Sequence, residues 1–335
     1  MSAMVSILLA ILTPWVAMAQ SMNGCLRNTD GVFNQLQRNA WYLPTSDHMA
    51  RLYVTEIGTG SPVVFVHGGP GNDFHYIIDG IRPQLGLHRF TLYEQRGSLL
   101  SPVATTDISK LTIQQQIEDL EALRKTLGID KMVLFAHSFG TLLALTYYQK
   151  YPDHVAGMVL AGAIPPTFKP AGLKGWIKAM RFRQEKLMNR KDLIAEVEKE
   201  AGLPADPRRD SPQQASIRWR ISGQAPLNII DLRRWKELTG GMVYYNEKVD
   251  DVIGNTMASD FDIRPTLRMH PVPITIINGD DDYIDPAAKS WAPLSGTGYV
   301  QLDVMPHASH YSWIDDPVAF GAALRKALAR ADSAR

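Results

Sequence analysis

Ser138 stands in the run Ala136-His137-Ser138-Phe139-Gly140, between an apolar stretch over 131–135 and a helix-like stretch opening at Thr141. Small residues two places either side of a serine, at a strand-to-helix junction, suit a turn so sharp that larger side chains would strike the neighbouring backbone. Such a turn presents the hydroxyl as a nucleophile. Ala136 replaces the more usual first glycine, a change that a methyl group allows. A serine attacks a carbonyl only if a base takes its proton, a carboxylate orients that base, and donors receive the oxyanion. Candidates for each part stand at the ends of apolar runs. His67-Gly68-Gly69-Pro70-Gly71 follows one; Pro70 lacks an N–H, so the amides of Gly69 and Phe139 are the expected oxyanion donors. Gly279-Asp280-Asp281-Asp282-Tyr283-Ile284-Asp285-Pro286 follows another and offers several carboxylates, while Met305-Pro306-His307-Ala308-Ser309-His310 offers two histidines. Residue type alone leaves both choices open. His67 and His137 neighbour the candidate site and read as supporting residues; His48, His75, His88, His154 and His270 read as surface or structural.

The elements needed to position these groups follow from periodicity. Strands are predicted over Arg51–Ile57, Pro62–His67, Arg89–Tyr93, Lys131–Phe135 and Gly157–Ala161, with Gly58-Thr59-Gly60 reading as a hairpin turn between the first two. Thr112 with Gln115 fits a capping box, and Ile113, Ile117, Leu120, Leu123 and Leu127 recur at helical spacing before Gly128. A second helix is predicted over Thr141–Tyr151. Strands alternating with helices imply an α/β fold, mostly parallel, with helices on both faces of the sheet. The rhythm breaks over 164–269, where Pro165-Pro166, Pro204, Pro207, Trp176, Trp219, Trp235 and Tyr244-Tyr245 punctuate helical stretches. It resumes with strands at Val272–Asn278 and Tyr299–Val304 and a helix over Val318–Ala329. The expected organisation is a core over 20–163 and 270–335 interrupted by a helical cap over 164–269.

The balance of 35 Lys+Arg against 34 Asp+Glu, without long runs of one sign, gives no reason to expect nucleic acid or an acidic membrane as partner. Val5 to Val16 is mostly apolar, and Ala17-Met18-Ala19 before Gln20 has the form of a signal-peptidase site. Export to the periplasm or medium, with cleavage after Ala19, is the expectation. The apolar part is shorter than the roughly 20 residues of a membrane span. Cys25 is the single cysteine, so an intramolecular disulfide is excluded and a free thiol is expected.

Together these residues resemble the α/β-hydrolase superfamily, and within it the proline iminopeptidase-like branch of serine peptidases. His67 to Gly71 is similar to that branch's oxyanion loop, and Ala136 to Gly140 to its serine turn. Tyr93-Glu94-Gln95-Arg96-Gly97 followed by Ser101 resembles a further segment, with Glu94 where the branch has Asp and Leu99 where it has glycine. The resemblance implies Asp282, in Gly279-x-x-Asp282-x-x-x-Pro286, as the acid. It implies His310, in His310-x-x-Trp313-x-Asp315-Asp316-Pro317, as the base. In the aminopeptidases of the branch, cap carboxylates hold the substrate's free amino group. Glu237 beside Trp235 is one candidate here, with Glu247, Asp250 and Asp251 also available.

The expected activity is therefore acyl transfer to water by Ser138, His310 and Asp282 on a small substrate, without metal or cofactor. Release of an N-terminal residue, proline included, is the first expectation; hydrolysis of a carboxylic ester or lactone is the alternative. A serine at 138 argues against dehalogenase or epoxide hydrolase chemistry, which needs a carboxylate nucleophile. A non-catalytic binding protein on the same fold is a more distant alternative.

Overall fold

The computed structural model describes residues 32–238 and 246–334. The expected signal segment with its cleavage point after Ala19, Cys25, and the pair Tyr244-Tyr245 lie outside these residues.

Eight strands form one sheet: β1 (Trp41–Pro44), β2 (Arg51–Gly58), β3 (Ser61–Val66), β4 (His88–Tyr93), β5 (Met132–His137), β6 (Val155–Ala161), β7 (Ile274–Gly279) and β8 (Val300–Met305). Their spatial order is β1-β2-β4-β3-β5-β6-β7-β8. β1–β2 and β2–β4 are antiparallel, and the remaining pairs are parallel. Every residue of β5, β6 and β7 is buried, as expected of parallel strands covered on both faces.

The hairpin expected across Gly58-Thr59-Gly60 does not form, because β4 lies between β2 and β3. Gly58 and Gly60 have φ of +88° and +97°, and a Cβ on either would lie 2.3 Å from the His88 carbonyl oxygen or 2.1 Å from that of Leu87. The glycines thus accommodate the segment that wedges β4 between the two strands. β1, absent from the expected strands, has four residues and ends in Pro44, which the edge of a sheet tolerates.

Helix α1 (Val32–Arg38) precedes β1. α2 (Ile113–Thr126) begins with the expected capping box: Thr112 Oγ1 accepts from Gln115 N at 3.2 Å, and Gln115 Oε1 accepts from Thr112 N at 2.9 Å. α2 and α3 (Phe139–Lys150) bury Ile117, Leu120, Leu142 and Leu145 on one sheet face, while α7 (Pro317–Asp332) buries Phe320 and Leu324 on the other. Between β6 and β7 the chain runs through α4 (Gly172–Met188), α5 (Lys191–Glu200) and α6 (Glu247–Gly254). Its extended pairing among the described residues is the single bridge Thr167↔Asp262.

Arg96, 1% exposed, fastens the edge of this arrangement. Its guanidinium donates two bonds of 2.6 Å to Asp119 on α2 and one of 2.7 Å to Asp47 in the β1–β2 turn. A buried ion pair contributes little net stability over an apolar pair, yet removing one partner strands a charge. Asp119→Ala is expected to lower unfolding stability in urea by about 3–5 kcal/mol, and Arg96→Met added to Asp119→Leu to recover most of the deficit. A loss under about 1 kcal/mol for the single change would show that Arg96 is hydrated or repaired elsewhere.

Candidate active site

The turn at Ser138 is set by contact with the neighbouring strand. Ser138 lies between β5 and α3 with φ 54° and ψ −127°, a conformation that non-glycine residues rarely hold. Its amide donates to the Ala161 carbonyl at 3.0 Å. A Cβ at Gly140 would lie 2.2 Å from the Val66 carbonyl oxygen and 2.6 Å from that of His67. The end of β3 and the start of α3 therefore touch backbone to backbone. Ala136, opposite Val66 and Leu160 in the sheet, keeps its methyl fully buried. Phe139 opens α3, so its N–H has no acceptor within the helix and faces outward at the positive end of the helix dipole.

The loop after β3 lies directly against this turn, since a Cβ at Gly68 would come 2.7 Å from the Ser138 Cβ. His67 is fully buried. The Gln95 amide donates to its Nε2 at 3.0 Å, which leaves the proton on Nδ1, 3.0 Å from the Gly68 carbonyl oxygen. Burial holds the His67 pKa down at about 4, so the ring stays neutral. A trans peptide is planar, so fixing the Gly68 carbonyl also fixes the opposed N–H of Gly69. Gly69 itself takes φ +65°.

At the far ends of β7 and β8, Asp282 and His310 meet. Both are buried, at 0% and 3% exposure, and His310 Nδ1 lies 3.0 Å from Asp282 Oδ2. The second oxygen of Asp282 accepts from the Ile284 amide at 2.8 Å. The competing groups are otherwise engaged or placed: Asp280 and Asp281 are exposed, Asp285 accepts from Ser290, and His307 is exposed at a turn with φ 53°. Gly162, at φ +53°, leaves room for the His310 ring: a Cβ there would lie 2.7 Å from His310 Cε1.

Tyr283 joins these groups, although no sequence motif singles it out. Its ring packs 4.7 Å from that of His310, and its hydroxyl lies near enough to the side chains of Ser138 and Gln184 for both to act on it electrostatically. Burial first, and the charge of Asp282 second, raise its pKa. Gln184 belongs to α4, whose Arg183 donates to the carbonyls of Tyr283 and Ile284 at 2.6 and 2.9 Å. The inserted helices thus grip the loop that carries Asp282. Of the acidic residues on α6, Glu247 and Asp251 are exposed, whereas Asp250 is half-buried and close enough to Tyr283 to act on it electrostatically. Glu237 accepts two bonds from Arg234, at 2.8 and 2.9 Å, and the amine of Lys236 lies 5.6 Å from the ring centre of Trp235. Both residues lie on the segment Leu232–Glu237, which Arg234 fastens to the Asp315 carbonyl.

Glu94 lies beside the loop that follows β3, next to Gln95, which bonds His67. Its Oε2 accepts from the Leu100 amide at 2.5 Å, while Oε1 is buried without a hydrogen-bond partner. Burial raises its pKa to about 7, against the opposing bond from Leu100, and the nearby charge of Asp73 adds to the rise. Among the described residues no cluster of three or more His, Cys, Asp or Glu side chains is placed to hold a metal ion, and no helix is long and apolar enough to cross a membrane. A cleft of about 540 Å³ beside Ile117, Leu142 and Phe261 borders none of Ser138, His310, Asp282 and the loop after β3.

Residues 61–317 match the family model described as the alpha/beta hydrolase fold. A proline iminopeptidase of Xylella fastidiosa is 35% identical over 118 residues, 35% of this chain and 37% of that protein. One from Lactobacillus helveticus is 24% identical over 266 residues, 72% of this chain and 84% of that protein. The chain thus matches little more than a third of the Xylella protein's length. Among solved structures, a proline iminopeptidase-related protein of Thermus thermophilus superposes with a TM-score of 0.62 at 24% identity, covering 88% of this chain and 99% of that one. An esterase from Thermogutta terrifontis gives 0.58 at 22% identity, covering 87% and 98%.

The buried Glu94 makes a pH prediction. An acid whose pKa is higher in the folded than in the unfolded chain stabilises the fold fully below the unfolded value, near 4.5, and loses that contribution as pH rises through about 7. Glu94→Gln, which keeps an acceptor for Leu100 and carries no charge, is expected to raise the melting temperature above pH 7 and to flatten its decline between about pH 5 and 8. An unchanged pH profile in scanning calorimetry would show that Glu94 is not the titrating group.

Proposed function

The chain belongs to the α/β-hydrolase family, and on that premise we propose that it is a serine hydrolase whose nucleophile is Ser138. The carrying observation is the buried contact of His310 Nδ1 with Asp282 Oδ2 at 3.0 Å, on the same sheet edge as the positive-φ turn at Ser138. In this proposal the Ser138 oxygen attacks the substrate carbonyl carbon while His310 Nε2 takes the hydroxyl proton. Asp282 orients the ring and stabilises its charge. The amides of Gly69 and Phe139 hold the oxyanion, a term worth roughly 3–4 kcal/mol of barrier per donor in other enzymes. His310 then gives its proton to the leaving group. Water, deprotonated by the same ring, releases the acyl group and restores Ser138.

We further propose that the substrate presents a free amino group, as in release of an N-terminal residue from a short peptide. Support comes from the half-buried Asp250, whose charge acts on Tyr283, and from the buried Asp73 near the loop after β3. These carboxylates favour a cation over an anion. The names of the matched iminopeptidases agree with this choice. Ester hydrolysis is the alternative, in keeping with the esterase among the structural neighbours.

A panel of aminoacyl anilides beside short-chain esters separates the two. Ser138→Ala is expected to reduce turnover of every substrate at least ~10³-fold with the melting temperature kept, and His307→Ala to retain far more activity than His310→Ala. Unchanged hydrolysis by Ser138→Ala would sink the assignment. Asp250→Asn is expected to raise KM for aminoacyl substrates about tenfold, the worth of one charge-assisted bond, while leaving esters unaffected. Preference for blocked over free amino groups would decide for the ester alternative.

A further inference from the structure

His137, the residue before the proposed nucleophile, is almost fully buried and has no role in the acyl-transfer steps above. It lies in the middle of a hydrogen-bonded line that begins on the oxyanion loop. The Gly68 amide donates to the Tyr76 hydroxyl oxygen at 2.6 Å, and that oxygen lies 3.0 Å from His137 Nδ1. His137 Nε2 lies 3.2 Å from the carbonyl oxygen of His310. Only one placement of protons satisfies every member. The Tyr76 oxygen already receives the Gly68 N–H, so its own proton goes to His137 Nδ1. Nε2 must then carry the ring proton, which donates to the His310 carbonyl. The opposite tautomer would aim a lone pair at that carbonyl and leave the Tyr76 proton without an acceptor.

The surroundings hold this line rigidly. The His137 ring lies 4.5 Å from that of His310, 5.5 Å from Tyr311 and 5.0 Å from Trp313. Tyr76 stacks on Tyr311 at 5.2 Å and on Trp313 at 5.9 Å. Gly162 admits both imidazoles, since a Cβ there would lie 2.7 Å from His310 Cε1 and 3.1 Å from His137 Nε2. Burial, together with the neighbouring charge of His310, keeps His137 neutral, which avoids a second cation beside His310 as it takes up its proton.

We propose that Tyr76 and His137 form a strut with a single proton order, running from the Gly68 amide to the His310 carbonyl, and that His137 is thereby a positioning residue. The strut rests on the roles proposed for Ser138 and His310. It ties two loops from opposite halves of the sheet, one carrying the Gly69 donor and the other the base. Both must meet the same carbonyl within a fraction of an ångström, and a misplacement of about 1 Å suffices for a loss of ~10²-fold. Attachment through main-chain groups leaves the His310 ring free to exchange its proton.

The test uses the whole chain. Nitrogen NMR of histidine-labelled protein is expected to show His137 protonated on Nε2 and bare on Nδ1; the reverse tautomer, or a charged ring at neutral pH, overturns the strut. Tyr76→Phe and His137→Leu are expected to lower kcat and the labelling rate of Ser138 by a fluorophosphonate roughly 10- to 100-fold, with KM within about twofold. His137→Gln, which keeps a donor toward the His310 carbonyl, is expected to recover most of the loss. If the wild-type chain labels at Ser138 and His137→Leu labels as fast, the strut fails while the serine hydrolase assignment stands. If the wild-type chain does not label, the assignment fails and the strut falls with it.

Discussion

The close approach of two backbones, β3 against the start of α3, is the constraint on which the candidate site depends. The Val66 and His67 carbonyls occupy the space a side chain at position 140 would need. Only a glycine there lets the helix begin at once after Ser138, and only then is Ser138 driven to φ 54° with its hydroxyl raised off the sheet. The same contact brings Gly68 against the Ser138 Cβ. Ser138 and the loop after β3 are therefore fixed to each other by main-chain packing. Side-chain rotamers have no part in that distance, which leaves them free for the proton chemistry.

Three buried histidines then divide the work through their partners. His67 takes its proton on Nδ1 because the Gln95 amide occupies Nε2, and that proton aligns the Gly68–Gly69 peptide. His310 directs Nδ1 to Asp282, which leaves Nε2 as the exchangeable nitrogen. His137, between them, faces Tyr76 and a carbonyl. Nothing in the intrinsic chemistry of imidazole separates the three. What separates them is which ring nitrogen meets an N–H, which meets a C=O, and which meets a carboxylate.

This explains what was legible in the sequence and what was not. The seven longer strands and the capping box at Thr112 follow from local periodicity and polar spacing, so they could be read within a few residues of their ends. Strand partners are not local. The glycines at 58 and 60 mark a reversal of the chain, but the insertion of β4 beside β2 is decided by burial across the whole sheet. Within the site, His310 and His307 lie on one loop and differ by environment: one is buried against Asp282, the other exposed at a positive-φ turn. Residue type left that choice open, and only the family resemblance carried by the spacing to Trp313 and Pro317 pointed to His310. Tyr76, Tyr283 and Arg183 had no motif to announce them, since each acts through contacts made by other segments.

The inserted helices show why specificity was the least legible property. Their acidic residues look alike in sequence, yet folding separates them. Glu237 is held by Arg234, Glu247 and Asp251 are exposed to solvent, and Asp250 is half-buried. Arg183 meanwhile binds the two carbonyls that follow Asp282, and its neighbour Gln184 lies near enough to Tyr283 to act on it electrostatically. A helix that grips the loop carrying Asp282 cannot shift without disturbing Asp282. The inserted helices and the Asp282–His310 pair therefore share one mechanical unit, and a substitution that shifts α4 would also move Asp282 relative to His310. The inserted helices and the Asp282–His310 geometry are coupled through the backbone at Tyr283 and Ile284.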